Sequence, residues 1–392
     1  MSDWQQINLG DPLTRVRRKV AVEDGVTYPA VSVQMHGRGL GEKDPFVGGV
    51  SKYTALNTVR ENDVVLRTIT AFEAPAGVAR AEHDGTHVSG VFITYEVDHR
   101  ALPEFLGLYF QTPVFWDEMQ NRASGTVLRR KTISDAAFRA IPLALPPLPT
   151  QERIVEVISA VDDQITALGV EATTLTAVLR RRRADLITDD SVEAVRAENA
   201  FDFSTGVRRT PDRAAGPYMT PYLRSANVGY GTLDLSDVLE MNYDPAERKK
   251  FGLQYGDVLV SEGSASANAV GMPAMWRDEL PAPVCTQMTL IRLRALEGVC
   301  IPEFVFHWSM WAYESRAFLD VAGGTNIKHI SAKRSKGMAV RVPSLDRQRE
   351  MAMELDAMES ALAATRAEAA RLREVRVGLL SGLLNQSITI DV

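Results

Sequence analysis

One stretch of this chain imitates a familiar catalytic pattern. Pro211-Asp212 followed by Glu247-Arg248-Lys249 supplies two carboxylates and a lysine, the residue types that hold a divalent metal for phosphodiester cleavage. The pattern is short and degenerate, so it weighs little by itself. His83 and His87 have an HxxxH spacing, but they sit in a Gly/Asp-rich turn with no third ligand placed nearby. Cys285 and Cys300 form neither a CxxC pair nor a disulfide framework, a usage that suits a reducing cytoplasm. There is no GxxxxGK[ST] phosphate loop and no GxSxG elbow, and Gly37-Arg38-Gly39-Leu40-Gly41 is not GxGxxG and reads as a flexible loop. Recognition is a better expectation than reaction.

Basic residues cluster at equivalent places in the two halves: Arg122, Arg129, Arg130, Lys131 and Arg139, then Lys328, Lys333, Arg334, Lys336 and Arg341. Only Asp135 opposes them. Placed beside Gly125-Thr126 and Gly324-Thr325, whose amides add neutral donors, they suit phosphate binding. The chain as a whole is acidic, with 44 Lys+Arg against 50 Asp+Glu, so DNA binding has to come from such local patches rather than from bulk charge. Base edges are read by polar side chains on loops. The second half offers Arg224, Ser225, Asn227, Glu262, Ser264, Asn268 and Asn326, and the first offers Gln34, Arg67, Thr68 and Thr70.

What must position these residues is a duplicated frame. Ile133-Ser134, Pro146, Leu148 and Gln151 return 197 residues later as Ile330-Ser331, Pro343, Leu345 and Gln348. Pro103-Glu104-Phe105 returns as Pro302-Glu303-Phe304, and Asp63-Val64 as Asp257-Val258. After each proline segment, LPPLPTQ and VPSLDRQ, comes a long amphipathic pattern. Residues 154, 158, 161, 165, 168, 172, 175, 179, 182 and 186 step by fours and threes and are apolar except Arg182. The same seam recurs from Met351 to Leu383, interrupted by Thr365 and Arg376. Each pattern predicts a helix of about 36 to 40 residues, roughly 54 to 60 Å long, and the two are expected to partner each other. Gly169 weakens the first, and both seam arginines need acidic or solvent-facing partners. The segments before the helices mix short β-branched runs with one aromatic helix each, PEFLGLYFQTPVFWDEM and PEFVFHWSMWAYESRAFL, whose Trp308, Trp311 and Phe318 are expected in the core.

Several ordered stretches resemble the specificity subunits of type I restriction-modification enzymes. TPYLRSANVGYGTLDLSDV, YGDVLVSEGSASANAVG, GGTNIKHIS and VPSLDRQ, with a helix ending LLSGLLN, follow that family's second half in order. ALPPLPTQERIVEVISAVDDQITAL is similar to its central repeat. The first half departs, with VSVQMHGRGLGEKDPF and LRTITAFEAPAGVA in place of the YLRxANV and DVLVSxG-like stretches.

The resemblance implies an α+β chain of two tandem target-recognition domains separated by two long antiparallel coiled-coil helices. The expected boundaries are 1–145 and 191–342 for the recognition domains, 146–190 for the central helix, and 343–392 for the distal helix and tail. It implies a non-catalytic, cytoplasmic subunit that reads a split site in double-stranded DNA and docks two methyltransferase subunits, with two motor-nuclease subunits added for restriction. S-adenosylmethionine, ATP and magnesium are then expected on those partners, with no cofactor or metal on this chain and no membrane association. The expected DNA-contacting set is Arg67, Thr68, Arg129, Arg130, Lys131, Arg224, Asn227, Glu262, Ser264, Asn326, Lys328, Lys333 and Lys336. Two other classes remain open at this level: a metal-dependent endonuclease built on Asp212, Glu247 and Lys249, and a coiled-coil scaffold with no DNA contacts.

Overall fold

The computed structural model describes residues 3–127, 131–264, 269–324 and 328–390. The chain forms two compact units, Met1–Leu168 with Glu368–Val392, and Gly169–Ala367. Each contains an α+β domain and part of both long helices.

In the first unit a four-stranded sheet has the order β1 (Leu13–Val16), β4 (Phe92–Val97), β2 (Val64–Arg67), β3 (Ala76–Val78). Its central strands are buried over most of their length because both faces are covered, and successive side chains point to opposite sides. Val64, Leu66, Ile93 and Tyr95 meet Phe105 and Leu106 of the helix α1 (Pro103–Tyr109), whereas Val65 and Phe92 meet Val31, Val33 and Leu40. The second unit repeats the sheet as β5 (Phe201–Thr205), β8 (Leu290–Ala295), β6 (Val258–Ser261), β7 (Pro273–Met275). There Val258, Val260, Ile291 and Leu293 face Phe304 and Trp308 of α3 (Pro302–Glu314), and Leu259 and Leu290 face Leu223 and Trp276. Trp308 and Phe318 are buried as expected, and Trp311 is half-buried. The first aromatic helix is shorter than its sequence suggests: it stops at Tyr109 and restarts at Pro113, where the proline ring lacks an N–H to continue the hydrogen-bonded ladder.

The divergent stretch of the first half has a local explanation. Residues 31–46 form most of a hairpin, Thr27–Val33 paired with Leu40–Val47, inside a five-stranded sheet. The loop expected over Gly37–Gly41 is a tight turn running into that second strand, and Gly37 is required there, because a Cβ would lie 2.3 Å from the Phe110 carbonyl. The corresponding stretch of the second half is a strand, Met219–Leu223, followed by a single turn over Ser225–Asn227 in a three-stranded sheet.

The long helices are α2 (Leu148–Ile187) and α4 (Leu345–Leu384), 40 residues each. All ten seam positions of each are buried or half-buried. Within the second unit Thr176 faces Arg366 while Arg182 pairs with Glu354, so the helices run antiparallel. Within the first unit Arg376 pairs with Asp162. Both seam arginines therefore find a carboxylate on the other helix.

One buried glutamine fastens each helix to its domain. Gln151 Nε2 donates to the carbonyls of Arg100 (2.9 Å) and Pro146 (2.8 Å), and its Oε1 accepts from Leu102 N–H at 2.8 Å. Gln348 repeats this on Val299 (2.9 Å), Pro343 (2.8 Å) and Ile301 N–H (3.0 Å). Both side chains are inaccessible to solvent, so truncation strands the partners without water. Gln348→Ala should destabilise the second unit by about 2–4 kcal/mol, since each buried polar group left unpaired costs about 1–3 kcal/mol. Hydrogen exchange of peptides from the second unit along a urea series measures it; a loss below about 1 kcal/mol would mean that the three bonds contribute little net stability.

Candidate nucleic-acid interface

The strands β2 and β6 end at matched positions and deliver the same backbone arrangement. In the second unit Glu262 N–H donates to Thr289 O (2.9 Å), and Glu262 O accepts from Ile330 N–H (2.7 Å). In the first unit Thr68 N–H donates to Val91 O and Thr68 O accepts from Ile133 N–H, both at 2.9 Å. Beyond Glu262, Gly263–Ser264 pairs with Lys328–Ile330, which pairs in turn with Ala322–Gly323. The strands pack so closely that a Cβ at Gly263 would fall 2.3 Å from His329 Nδ1. Bridges from Thr132 to Ile69 and to Ser124 are the counterpart in the first unit. A short β-finger thus brings Thr68 next to the segment 131–133 in one unit and Glu262 next to the Lys328–Ile330 strand in the other.

Side chains on this common frame differ. Arg67 turns back onto Glu73, which also accepts from the Thr70 hydroxyl at 3.3 Å, and the Thr68 hydroxyl donates to Val91 O at 2.9 Å. Arg67 and Thr68 thus bond within their own unit, while Arg67 Nε is buried without a partner among the described residues. In the second unit Glu262 lines a groove of about 430 Å³ with Thr205, His329, Ser331, Lys333 and Arg334. Its half-buried carboxylate makes no hydrogen bond or ion pair with a described residue. Burial pushes that carboxyl above the usual range, and His329 partly opposes the shift. Lys333 and Arg334 have no counterpart in the first unit, where Ala136 and Ala137 stand. There Asp135, opposite Ala332, accepts from Tyr95 OH (2.7 Å) and pairs with Arg15 (3.0 Å).

Among the other expected contacts, Lys328 and Lys333 are exposed and Lys131 and Lys336 half-buried, and none of the four is paired with a described carboxylate. Arg139 and Arg341 are committed to structure, the first to Gly10 O at 3.1 Å and the second to Asp190 and to Val192 O, both at 2.6 Å. Arg224 is half-buried and paired with Asp237. Asn227 does not join the reading set. It is buried, its Oδ1 accepts from Arg224 N–H (3.0 Å), and its Nδ2 donates to Asp234 O (2.9 Å) and Asp237 O (3.1 Å), which exhausts its amide on its own turn. Arg129, Arg130 and Asn326 lie outside the described residues, as does the side chain of Ser264.

Sequence reasoning missed the residue that ties these parts together. Thr289 accepts from Ser225 N–H at 3.1 Å through its hydroxyl, which in turn donates to Gln287, while its carbonyl holds Glu262. The polar break Thr286-Gln287-Met288-Thr289 before β8 was the available signal.

The metal-nuclease pattern does not assemble. Glu247 gives both oxygens to Arg213 (2.7 and 2.9 Å) and caps its own helix through Asp244 N–H at 3.1 Å, and the Asp212 carboxyl is lowered by its bond to Thr210. His83 Nδ1 accepts from Arg80 N–H, and His87 Nδ1 meets Pro29 O. Among the described residues no group of three or more His, Cys, Asp or Glu is placed to hold a metal ion, and no helix is long and apolar enough to cross a membrane.

Residues 1–173 match the family model of the type I restriction modification DNA specificity domain. This is the half whose loops depart further from the expected pattern. Three solved structures share the fold over nearly the whole length. One comes from work on complex assembly and conformational transition of the type I R-M system (16% identity, 97% of each chain covered, TM-score 0.68). The HsdS subunit from Thermoanaerobacter tengcongensis is 15% identical over 98% of this chain and 97% of that one, with a TM-score of 0.53. The type I S subunit from M. genitalium is 13% identical over 100% and 97%, with a TM-score of 0.54. No curated protein matches in sequence.

Proposed function

We propose that this chain, which carries a type I restriction-modification DNA specificity domain, is the sequence-reading subunit of such a complex. Its domains, 1–145 and 191–342, each read one half of a split, asymmetric site in double-stranded DNA. The chain is not catalytic; it docks two methyltransferase subunits, and two motor-nuclease subunits in the restricting form, in the cytoplasm. S-adenosylmethionine, ATP and magnesium act on those partners.

The observation that carries the reading is the repeated finger. Two sites share one backbone geometry yet present Thr68 and Ala136-Ala137 in one unit, Glu262 and Lys333-Arg334 in the other. Unequal side chains on equal frames read unequal bases. A host methylome dependent on this protein should show two different half-sites separated by unspecified bases; a palindromic or uninterrupted motif would overturn the proposal.

Lys131, Lys328, Lys333 and Lys336, with Arg129 and Arg130, take the phosphate-positioning role, and Arg67, Thr68, Arg224, Glu262, Ser264 and Asn326 the base edges. A lysine lacking a fixed partner neutralises backbone charge without specifying a base. Lys333→Ala in the assembled complex should weaken binding to all sequences alike and flatten the slope of log affinity against log salt by about 0.9. Titration over a range of salt concentrations measures this, and an unchanged slope would remove Lys333 from the phosphate contacts.

A further inference from the structure

We infer that Glu262 fixes a cytosine in the second half-site by accepting a hydrogen bond from its exocyclic amine. The inference rests on the second domain being a DNA reader and goes further, to one residue and one base.

Glu262 is locked at the root of the finger by backbone bonds on both sides, to Thr289 O and from Ile330 N–H. Its side chain stands in the groove among Lys333, Arg334 and His329, with no hydrogen-bond partner among the described residues. Those cations account for phosphates; a carboxylate repels them. An ionised carboxylate only accepts, so the DNA group it can meet is a base amine. In the major groove that means cytosine N4 or adenine N6. Adenine places the N7 acceptor beside its amine, turning a second lone pair toward the carboxylate, whereas cytosine has a C–H beside N4. Cytosine therefore wins. Burial of the carboxyl increases what it gains from a donor, because a desolvated acceptor left unpaired is costly. The equivalent Thr68 has its hydroxyl committed to Val91 O, so this contact belongs to one half-site alone.

The experiment uses the assembled complex, wild type and with Glu262→Ala or the isosteric Glu262→Gln, against duplexes carrying the methylome-derived site altered one position at a time. Wild type should disfavour replacement of one second-half cytosine by thymine, and by pyrimidin-2-one, which lacks only the amine, by roughly 5- to 150-fold. Glu262→Ala should lose both penalties at that position and keep all others. Glu262→Gln, whose amide suits adenine N6 and N7, should shift that position toward adenine. Retained penalties at the other positions of the second half-site show that the second unit of each variant is folded. If the variants keep every penalty, or if the position that relaxes is an A·T pair, the inference is wrong while the function stands. If wild-type complex shows no sequence preference at all, the function itself is wrong.

Discussion

Glu314→Ala should destabilise the second unit by about 3–5 kcal/mol, the cost of removing one partner from a buried ion pair. Arg183 is inaccessible to solvent, and its guanidinium is held by Glu314 at 2.6 Å and by Glu359. Glu314 also accepts from Tyr230 OH and lies 3.6 Å from Arg180. The network joins helix α2 to α3 and α4, with His307 beside it, 3.0 Å from Asp356 through Nε2. Truncating Glu314 leaves a positive charge in the protein interior with half its partners. The local transition, followed by hydrogen exchange of peptides from residues 302–314, is the measurement, because a two-unit chain need not unfold in one step. A loss under about 1 kcal/mol would show that water reaches Arg183 or that Glu359 alone suffices.

The first unit supplies the control. At the repeat-equivalent positions it carries Leu380 for Arg183, Phe115 for Glu314 and Leu108 for His307, all buried in its main core. The same junction is therefore built from apolar packing in one unit and from charge in the other. Well-packed apolar replacements of a buried ion network are often neutral or stabilising. The triple variant Arg183→Leu, Glu314→Phe, His307→Leu should thus lose less stability than Glu314→Ala alone. The reverse order would mean that the charged junction has a shape the apolar set cannot fill.

This junction also marks where sequence legibility ends. The seams were readable because a four-and-three spacing defines one helix face, and every seam position lies on a packed face. The partners of Arg182 and Arg376 were not readable, since Glu354 and Asp162 are remote in sequence and no local spacing links them. Gln151 and Gln348 advertised themselves as a repeat, yet two of the three hydrogen bonds of each depend on loops some 50 residues upstream. At the candidate site the repeat located Thr68 and Glu262 at equivalent strand ends, but the groove needs His329, 67 positions on. Asn227 misled for a physical reason: asparagine in a polar turn suits base reading and turn closure equally, and only its burial distinguishes them.

Lengthening both long helices should widen the gap between the half-sites without changing either one. Each helix is a single 40-residue element, and the boundary between the compact units falls inside both, at Leu168/Gly169 and Ala367/Glu368. Insertions at these two points leave every helix contact internal to a unit in place: Asp162 with Arg376 in the first, Arg182 with Glu354 in the second. Four residues add about 6 Å of helix, roughly two base pairs at 3.4 Å each. They also rotate the inserted seam by about 40°, because four residues exceed one 3.6-residue turn. Seven residues add about 10.5 Å, roughly three base pairs, with a drift of only about 20°. The heptad insertion should therefore retain more activity than the shorter one even though it displaces the domains further. The readout is the methylation motif of the surviving complex: both half-sites unchanged, with the unspecified gap increased by one to three bases for four residues and by about three for seven. A gap that stays fixed while activity persists would show that the helices do not set the spacing, and half-site separation would then have to come from the partner subunits.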